Sequence, residues 1–335
     1  LGDLLGPAGR RERALEHYEA VRAAYASAGE PAAQARLCRK LGGLYWDAGD
    51  RERALGCFEA GLGLLEGRAE HIELAHLYQE MGRLAFRSGE NDRAIEWAER
   101  ALAAAERLGS APDETDASGH QAAAVTAHAY NTLGIALART GRLEEAVAHI
   151  ERSVEVAHAH ELLQAACRGY TNLGVLYSTL DPQRSIATCL SGLEMAKKIG
   201  DLGVQSRLHA NLAVAYCALT DQCEAEGIEA AQSSIELDRR LGQLDHLAIP
   251  LIVLGQIYQC HGQPELAMRY YREALDLAEQ AGEPQLLFPG YDGLATLYLD
   301  MGDEAQAERY MVEAKEVCER AGLDPDSFVV LPFLG

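Results

Sequence analysis

Residues 41–58 read Leu-Gly-Gly-Leu-Tyr-Trp-Asp-Ala-Gly-Asp-Arg-Glu-Arg-Ala-Leu-Gly-Cys-Phe. A Leu-Gly pair precedes an aromatic residue, Tyr45, and a second glycine, Gly49, is followed by a polar residue. Five residues after Gly49 comes Ala54, and a bulky residue, Phe58, lies one helical turn further on. Apolar residues fall at i, i+3, i+4 and i+7 on both sides of Gly49, which is the period of a helix. The stretch therefore predicts two helices joined by a tight turn.

The same pattern recurs along the chain with a nearly constant step. The small residue of the pair stands at positions 2, 42, 82, 134, 174, 213, 255 and 295. Successive positions differ by 39 to 42 residues, apart from one step of 52. Because a single hairpin cannot bury its own apolar face, such repeats must stack on their neighbours.

Each repeated position has a physical reason. A glycine inside a helix costs about 1 kcal/mol relative to alanine, so we expect close approach of the partner helix to compensate. The second glycine suits a left-handed residue at a helix end. The alanine lets the two helices meet, and a bulky residue fills the gap beside it. In most copies that residue is one of Tyr18, Phe58, Ile150, Tyr271 and Met311.

Composition excludes several classes of function. The net charge is −21, from 30 basic and 51 acidic residues, so a nucleic acid would be repelled. The longest strongly apolar stretch, Ile249–Tyr258, is about half of a membrane span, and no membrane association is expected. Eight cysteines occur without any CxxC spacing, which indicates packed thiols in a reducing compartment. We expect a cytoplasmic location.

Motifs for catalysis and metal binding are missing from the sequence. Residues 71–76 read His-Ile-Glu-Leu-Ala-His, and this spacing places the two imidazoles on different faces of a helix. Neither a GxxxxGK[ST] phosphate loop nor a GxSxG elbow occurs. The sequence thus predicts a chain that is not an enzyme and holds no cofactor or metal.

The repeated residues resemble the signature of the tetratricopeptide repeat family, Trp-x2-Leu-Gly-x2-Tyr followed by Ala-x3-Phe. The resemblance covers about Leu1 to Gly322. It implies an all-α fold, a right-handed superhelical solenoid of antiparallel helix hairpins, with about eight repeats of which the first is truncated. The step is near 40 residues rather than the usual 34. This longer step resembles the carboxy-terminal arrays of bacterial multidomain ATPase and nucleotide-cyclase signalling proteins.

Irregularities divide the array. We expect repeats over 1–109, a polar acidic loop over 110–121, five further repeats over 122–322, and an apolar tail over 323–335. The loop is either a mobile insertion or a hinge between two blocks of repeats, and the tail either caps the last hairpin or mediates self-association. Because Leu1 corresponds to the middle of a first helix, we expect the chain to be a fragment or a processed product. Asp181-Pro182 and Asp221-Gln222-Cys223 replace the turn glycine in two repeats, where distorted turns are expected.

The resemblance also implies where a partner would bind, because in this family the first helix of each hairpin lines the concave surface. The slots expected to face inward are mostly basic or amide-bearing. They hold Arg36, Arg39, Lys40, Arg83, Arg87, His128, Asn131, Arg139, Arg168, Asn172, Arg207 and Asn211. Asn172 and Asn211 fall at the slot where similar peptide-binding members often place asparagine. The alternative is that some of these arginines only bridge to acidic residues of the adjacent hairpin.

The sequence therefore favours a scaffold whose groove binds a protein or peptide segment, with an acidic partner preferred on charge. An upstream domain of the same polypeptide is a second candidate partner. The alternative function is the regulatory or sensor arm of a larger bacterial ATPase or nucleotide-cyclase signalling protein.

Overall fold

The computed structural model describes residues 11–65, 67, 71–109, 116–219, 222–282 and 284–321. The predicted all-α fold of consecutive helix pairs is confirmed, and no strand occurs in these ranges. The chain divides into two compact units, Leu1–Ala165 and Ala166–Gly335. The expected truncated first helix and the apolar tail, residues 323–335, lie outside the described residues.

In the first unit, consecutive helices pack in pairs, and a short turn joins the two helices of each pair. The hairpins are α2 with α3, α4 with α5, and α6 with α7. Helices α2, α4 and α6 also contact one another in order, so the hairpins stack side by side. The helices are α1 (Arg11–Ala28), α2 (Pro31–Asp47), α3 (Arg51–Leu64), α4 (Ile72–Arg87), α5 (Asn91–Gly109), α6 (Asp116–Arg139) and α7 (Leu143–Ala159).

The second unit repeats the arrangement. Its helices are α8 (Leu163–Leu180), α9 (Pro182–Ile199), α10 (Leu202–Cys217), α11 (Ile228–Leu241), α12 (Ala248–Cys260), α13 (Pro264–Ala281), α14 (Pro284–Asp300) and α15 (Glu304–Arg320). A π-helical turn, Cys223–Gly227, precedes α11, and a 3₁₀ turn, Leu244–Leu247, precedes α12.

The turn glycines behave as predicted. Gly49, Gly89 and Gly141 have φ of 80°, 78° and 82°, the left-handed region that a helix end with glycine uses. In two repeats without this glycine the outcomes differ. Asp181 caps α9 by accepting a hydrogen bond from the Arg184 backbone at 3.1 Å, and the expected distortion is not seen there. Near Cys223 the expected distortion takes the form of the π-helical turn.

The small mid-helix residues mark the closest approach of paired helices. A Cβ on Gly255 would lie 2.7 Å from ring atoms of Tyr271, and one on Gly134 would lie 2.9 Å from the Ala146 carbonyl oxygen. Phe58, Ile150 and Tyr271 are buried as predicted. Tyr18 is half-buried, and Met311 is 54% exposed.

The structure corrects part of the predicted loop over 110–121. Helix α6 begins at Asp116, so residues 116–121 form its first turns, while 110–115 lie outside the described residues. An aspartate at a helix N-terminus is favourable, and Ala122 and Ala123 of the following turn are buried. Helices α5 and α6 pack together within one compact unit, and the boundary between units falls between Ala165 and Ala166 instead of at this segment.

Candidate functional site

Four of the five predicted basic residues of α2 and α4 line one open cavity in the first unit. Its volume is about 220 Å³. The described residues that line it are Arg39, Lys40, Gly43, Trp46, Phe58, Glu80, Arg83, Leu84 and Arg87. We call this cavity the basic pocket.

Helical spacing explains how these residues come together. On α2, positions 39, 43 and 46 follow the i, i+4, i+7 pattern of one helix face. On α4, positions 80, 83, 84 and 87 do the same. Since the first helices of neighbouring hairpins pack side by side, the two polar faces border a common space. Phe58, which comes from α3, supplies the buried wall.

Glu73 anchors two of the predicted arginines. Its carboxylate is 3% exposed and accepts hydrogen bonds from Arg36 Nε at 2.9 Å and from Arg39 Nε at 3.0 Å. Burial by itself raises the pKa of Glu73, but the hydrogen bond and charge of Arg39, with His76 and Arg36, lower the pKa overall. Arg36 and Arg39 thus bridge to the adjacent hairpin, as the alternative interpretation of the sequence held.

The other cations of the basic pocket are also oriented. Arg83 Nη1 donates to both carboxylate oxygens of Glu80, at 3.1 and 3.0 Å. The guanidinium of Arg87 lies over the Trp46 ring, 5.5 Å from its centroid, and that of Arg51 lies 5.6 Å from the same centroid. The Lys40 ammonium is 5.8 Å from the centroid of the Tyr18 ring. Such contacts hold long side chains in place at small cost in conformational entropy.

Cations outnumber carboxylates among the described lining residues of the pocket, in a strongly acidic protein. Among the described lining residues there are two arginines paired with carboxylates, Arg39 and Arg83, and two cations stacked on aromatic rings, Lys40 and Arg87. His76 adds no charge near neutral pH, because burial and the charge of Arg39 lower its pKa to about 4.

The predicted residues of α6 divide between surface and interior. Arg139 is exposed, with its guanidinium 5.5 Å from the centroid of Phe86, and His128 is half-buried. Asn131 is only 1% exposed, so the prediction that it lines an open surface is corrected.

In the second unit, Asn172 and Asn211 are 0% and 3% exposed, which also corrects their expected place on an open surface. Asn211 Nδ2 donates to the backbone carbonyl of Thr171 at 2.9 Å, across one repeat. Arg207 is half-buried, and desolvation lowers its pKa despite the charges of Asp201 and Asp238. Arg168 is half-buried on α8. These residues and the basic pocket belong to different units.

Sequence reasoning missed Glu73. Glu73 stands 37 residues after Arg36 and 34 after Arg39, close to the repeat step, so a carboxylate on the next first helix was a usable signal. A second cavity, of about 550 Å³, lies between α11, α12 and α13 in the second unit. Its charged side chains nearly balance, with Arg239 paired to Glu273 at 3.3 Å.

No group of three or more histidine, cysteine or acidic side chains in the described ranges is arranged to hold a metal ion. Nor does any helix in the described part of the chain have the length and apolarity needed to cross a membrane.

Solved structures with a similar fold include a conjugation gene regulator, an ATPase with a tetratricopeptide repeat sensor and an aspartyl phosphate phosphatase. RapI in its apo form superposes with a TM-score of 0.69 at 12% identity, covering 86% of this chain and 99% of RapI. A STAND-class signal-transduction ATPase with a tetratricopeptide repeat sensor, from Pyrococcus horikoshii, gives a TM-score of 0.65 at 13% identity, covering 98% of this chain and 46% of the ATPase. The Rap conjugation gene regulator of plasmid pLS20, in complex with the Phr* peptide, gives 0.63 at 14% identity, covering 89% of this chain and 77% of the regulator.

Sequence comparisons give the family. A search of curated protein sequences gives no match to this chain. Models of the tetratricopeptide repeat match residues 75–107, 126–161, 204–280 and 291–321, together more than half of the chain. The chain therefore belongs to the tetratricopeptide repeat family.

Proposed function

We propose that this protein is a non-catalytic binding module that captures a peptide segment of a partner protein, with acidic segments preferred. The observation that carries the proposal is the basic pocket, a concentration of cations around an indole in a chain of net charge −21. An anionic segment is attracted to such a surface and repelled by the rest of the molecule, which gives orientation as well as affinity.

The structural relatives support a peptide as the occupant. The Rap regulator of pLS20 is described with a bound Phr* peptide, and a Rap protein of similar fold with the competence and sporulation factor. At 14% identity these proteins share only the fold with this chain. The residues that would recognise a peptide here are those of the basic pocket, extended by Arg36 on α2 and by Arg139 and His128 on α6. The reduced cysteines agree with a cytoplasmic location.

A second candidate role is the sensor arm of a larger signalling ATPase or nucleotide cyclase. The observation that favours it is the match of 98% of this chain to 46% of an ATPase that carries a tetratricopeptide repeat sensor. In that case the captured segment belongs to an adjacent domain of the same polypeptide. The full-length gene separates the two roles, because an upstream ATPase or cyclase domain supports the sensor arm.

The experiment that tests the proposal is selection of displayed random peptides on the purified chain. We expect selected peptides to be enriched in aspartate and glutamate, and their affinity to fall as ionic strength rises from about 50 to about 300 mM. The double variant Lys40→Glu, Arg87→Glu should weaken binding by at least about tenfold. Arg152→Glu makes the same kind of charge change on the exposed surface of α7 in the same unit and should leave binding unchanged. Selected peptides without acidic enrichment, bound equally by both variants, would refute the proposal.

A further inference from the structure

The basic pocket has the dimensions of a receptor for a single side chain. We infer that it takes one anionic group, a carboxylate or a phosphoryl group, carried on a short apolar stem. This inference deepens the proposed function and rests on it, because it assigns the anchoring contact to one pocket and one residue of the captured segment. A volume of about 220 Å³ is sufficient for one side chain.

The lining of the pocket is rich in cations. Four described cations line the pocket, Arg39, Lys40, Arg83 and Arg87, whereas Glu80 is the single carboxylate among the described lining residues. Behind the wall, Glu73 is shared by Arg36 and Arg39, so these two arginines together bring one more charge than the carboxylate balances. Among the described lining residues the cations thus outnumber the carboxylates. An anion entering the pocket therefore meets donors that charged groups have already oriented.

The pocket also has an apolar wall. The guanidinium groups of Arg51 and Arg87 lie 5.6 and 5.5 Å from the centroid of the Trp46 ring, and Phe58 and Leu84 also line the pocket. These apolar groups can contact an aliphatic stem whose anionic head meets the cations. Free phosphate would use the cations alone and leave this wall without a contact.

The pocket is open over Gly43. A Cβ built on Gly43 has no neighbouring atom within 4 Å, whereas a Cβ on the preceding Gly42 would collide with the ring of Phe58. Consecutive glycines thus have opposite surroundings, one closed against the partner helix and one facing the pocket. A side chain introduced at position 43 would project into the pocket without clashing with the protein.

The test uses Trp46 as its reporter. The chain has two tryptophans, and Trp97→Phe keeps a ring for the stack on Tyr78 while leaving Trp46 as the single indole. The indole N–H of the ¹⁵N-labelled full chain is followed by NMR during titration with four probes. They are the blocked dipeptides acetyl-Leu-Glu-amide and acetyl-Leu-Gln-amide, a blocked dipeptide of leucine and phosphoserine, and inorganic phosphate.

We expect saturable shifts with the glutamate or phosphoserine dipeptide, and an affinity at least about tenfold weaker for the glutamine dipeptide, which is uncharged and nearly isosteric. The stronger of the two anionic dipeptides identifies the head group as carboxylate or phosphoryl. Gly43→Leu should abolish the shifts while the melting temperature is maintained, and Gly43→Ala, which intrudes less, should weaken them partially. Arg152→Glu should titrate like the parent.

Equal shifts with the glutamate and glutamine dipeptides would overturn the inference, as would full response in Gly43→Leu. Inorganic phosphate binding as tightly as the phosphoserine dipeptide would overturn the assignment of an apolar stem. If peptide selection succeeds while these probes fail, the pocket inference alone falls and the proposed function stands. If selection yields no acidic peptides but the probes bind, the proposed function fails and the pocket remains an anion site.

Discussion

The ring of Phe58 occupies the space that a side chain on Gly42 would need. A Cβ on Gly42 would lie 2.7 Å from Cδ1 of that ring, closer than van der Waals contact allows. Since Phe58 is itself 2% exposed and packed in the core of the first unit, it has little room to move aside. Contact between α2 and α3 therefore depends on the absence of one methyl group.

Gly42→Ala should accordingly destabilise the protein although alanine is the better helix former. Overpacking costs about 1–3 kcal/mol, which exceeds the gain in helix propensity of about 1 kcal/mol. Gly43→Ala provides the matched control, since its methyl group meets open space and only the propensity gain applies. Urea denaturation followed by circular dichroism should show opposite signs for the two variants. A shared sign would show that packing against Phe58 does not determine the choice of glycine.

The bond from Asn211 to the Thr171 carbonyl should contribute to the stacking of neighbouring hairpins. Both residues are buried, and Asn211→Ala leaves a backbone acceptor without this donor. We expect a loss of about 1–3 kcal/mol in the free energy of unfolding. Gln232→Ala, on the exposed face of α11, is the control and should change stability by less than about 0.5 kcal/mol. Equal effects of the two changes would argue against an inter-repeat role for Asn211.

The periodic part of the fold was predictable because the same contact recurs at a step of about 40 residues. Gly42 with Phe58 and Gly255 with Tyr271 are two copies of one packing solution, and repetition makes the signal visible. Met311 shows the limit of this argument, since it occupies the same repeat position in the last described hairpin but is 54% exposed. The start of α6 at Asp116 was also hidden, because residues 116–121 are mostly polar or small and carry no apolar helical period.

The binding surface was only partly predictable. Counting helix positions found the cations of α2 and α4, but it could not tell an exposed slot from a buried one. Asn131, Asn172 and Asn211 occupy such slots and are buried. The depth of a slot depends on how closely the next repeat approaches, and Asn211 is held inward by a carbonyl 40 residues away. Glu73 escaped notice because its partners lie on another hairpin.

His76 should make the first unit sensitive to mild acid. Burial and the nearby Arg39 lower its pKa to about 4, below the ordinary value of 6.5. The unfolded chain therefore takes up a proton near pH 6.5 while the folded chain resists until about pH 4. Stability is fully present above pH 6.5 and is lost as the pH falls towards 4.

His76→Gln should flatten this dependence. Because desolvation also lowers the pKa of His149 and His209, the informative quantity is the difference between wild type and variant at pH 7, 6 and 5. We expect the free energy of unfolding of the wild type to fall more steeply than that of His76→Gln. Direct NMR titration of His76 gives the second measurement, and a midpoint at the ordinary value would contradict the prediction.

Asp238 is the reverse case, a buried acid whose folded environment disfavours its charge. It is 1% exposed and accepts a hydrogen bond from Ser206 Oγ at 2.6 Å, with Ser234 Oγ at 3.5 Å from its other oxygen. Burial raises its pKa, although hydrogen bonds from Ser206 and Ser234 and the charges of His246 and Arg207 act in the opposite direction. As the pH rises, the carboxyl of Asp238 ionises first in the unfolded chain. The free energy of unfolding therefore falls between the unfolded and the folded pKa of Asp238, and this loss persists at neutral pH.

Asp238→Asn keeps an oxygen that accepts a hydrogen bond from the Ser206 hydroxyl. Its amide nitrogen lies beside the Ser234 hydroxyl oxygen and can donate a hydrogen bond to it. We therefore expect this change to stabilise the protein at pH 7, by about 1 kcal/mol or a melting temperature higher by about 2–4 °C, and to have no effect near pH 3. Asp238→Ala should instead destabilise by about 1–3 kcal/mol at both pH values, because it opens a cavity and leaves the Ser206 hydroxyl without its acceptor. Calorimetry of the three proteins at both pH values decides the matter. Destabilisation by Asp238→Asn at pH 7 would mean that attraction to Arg207 and His246 outweighs desolvation, and that the carboxylate stabilises this junction of α10 and α11 as a charge.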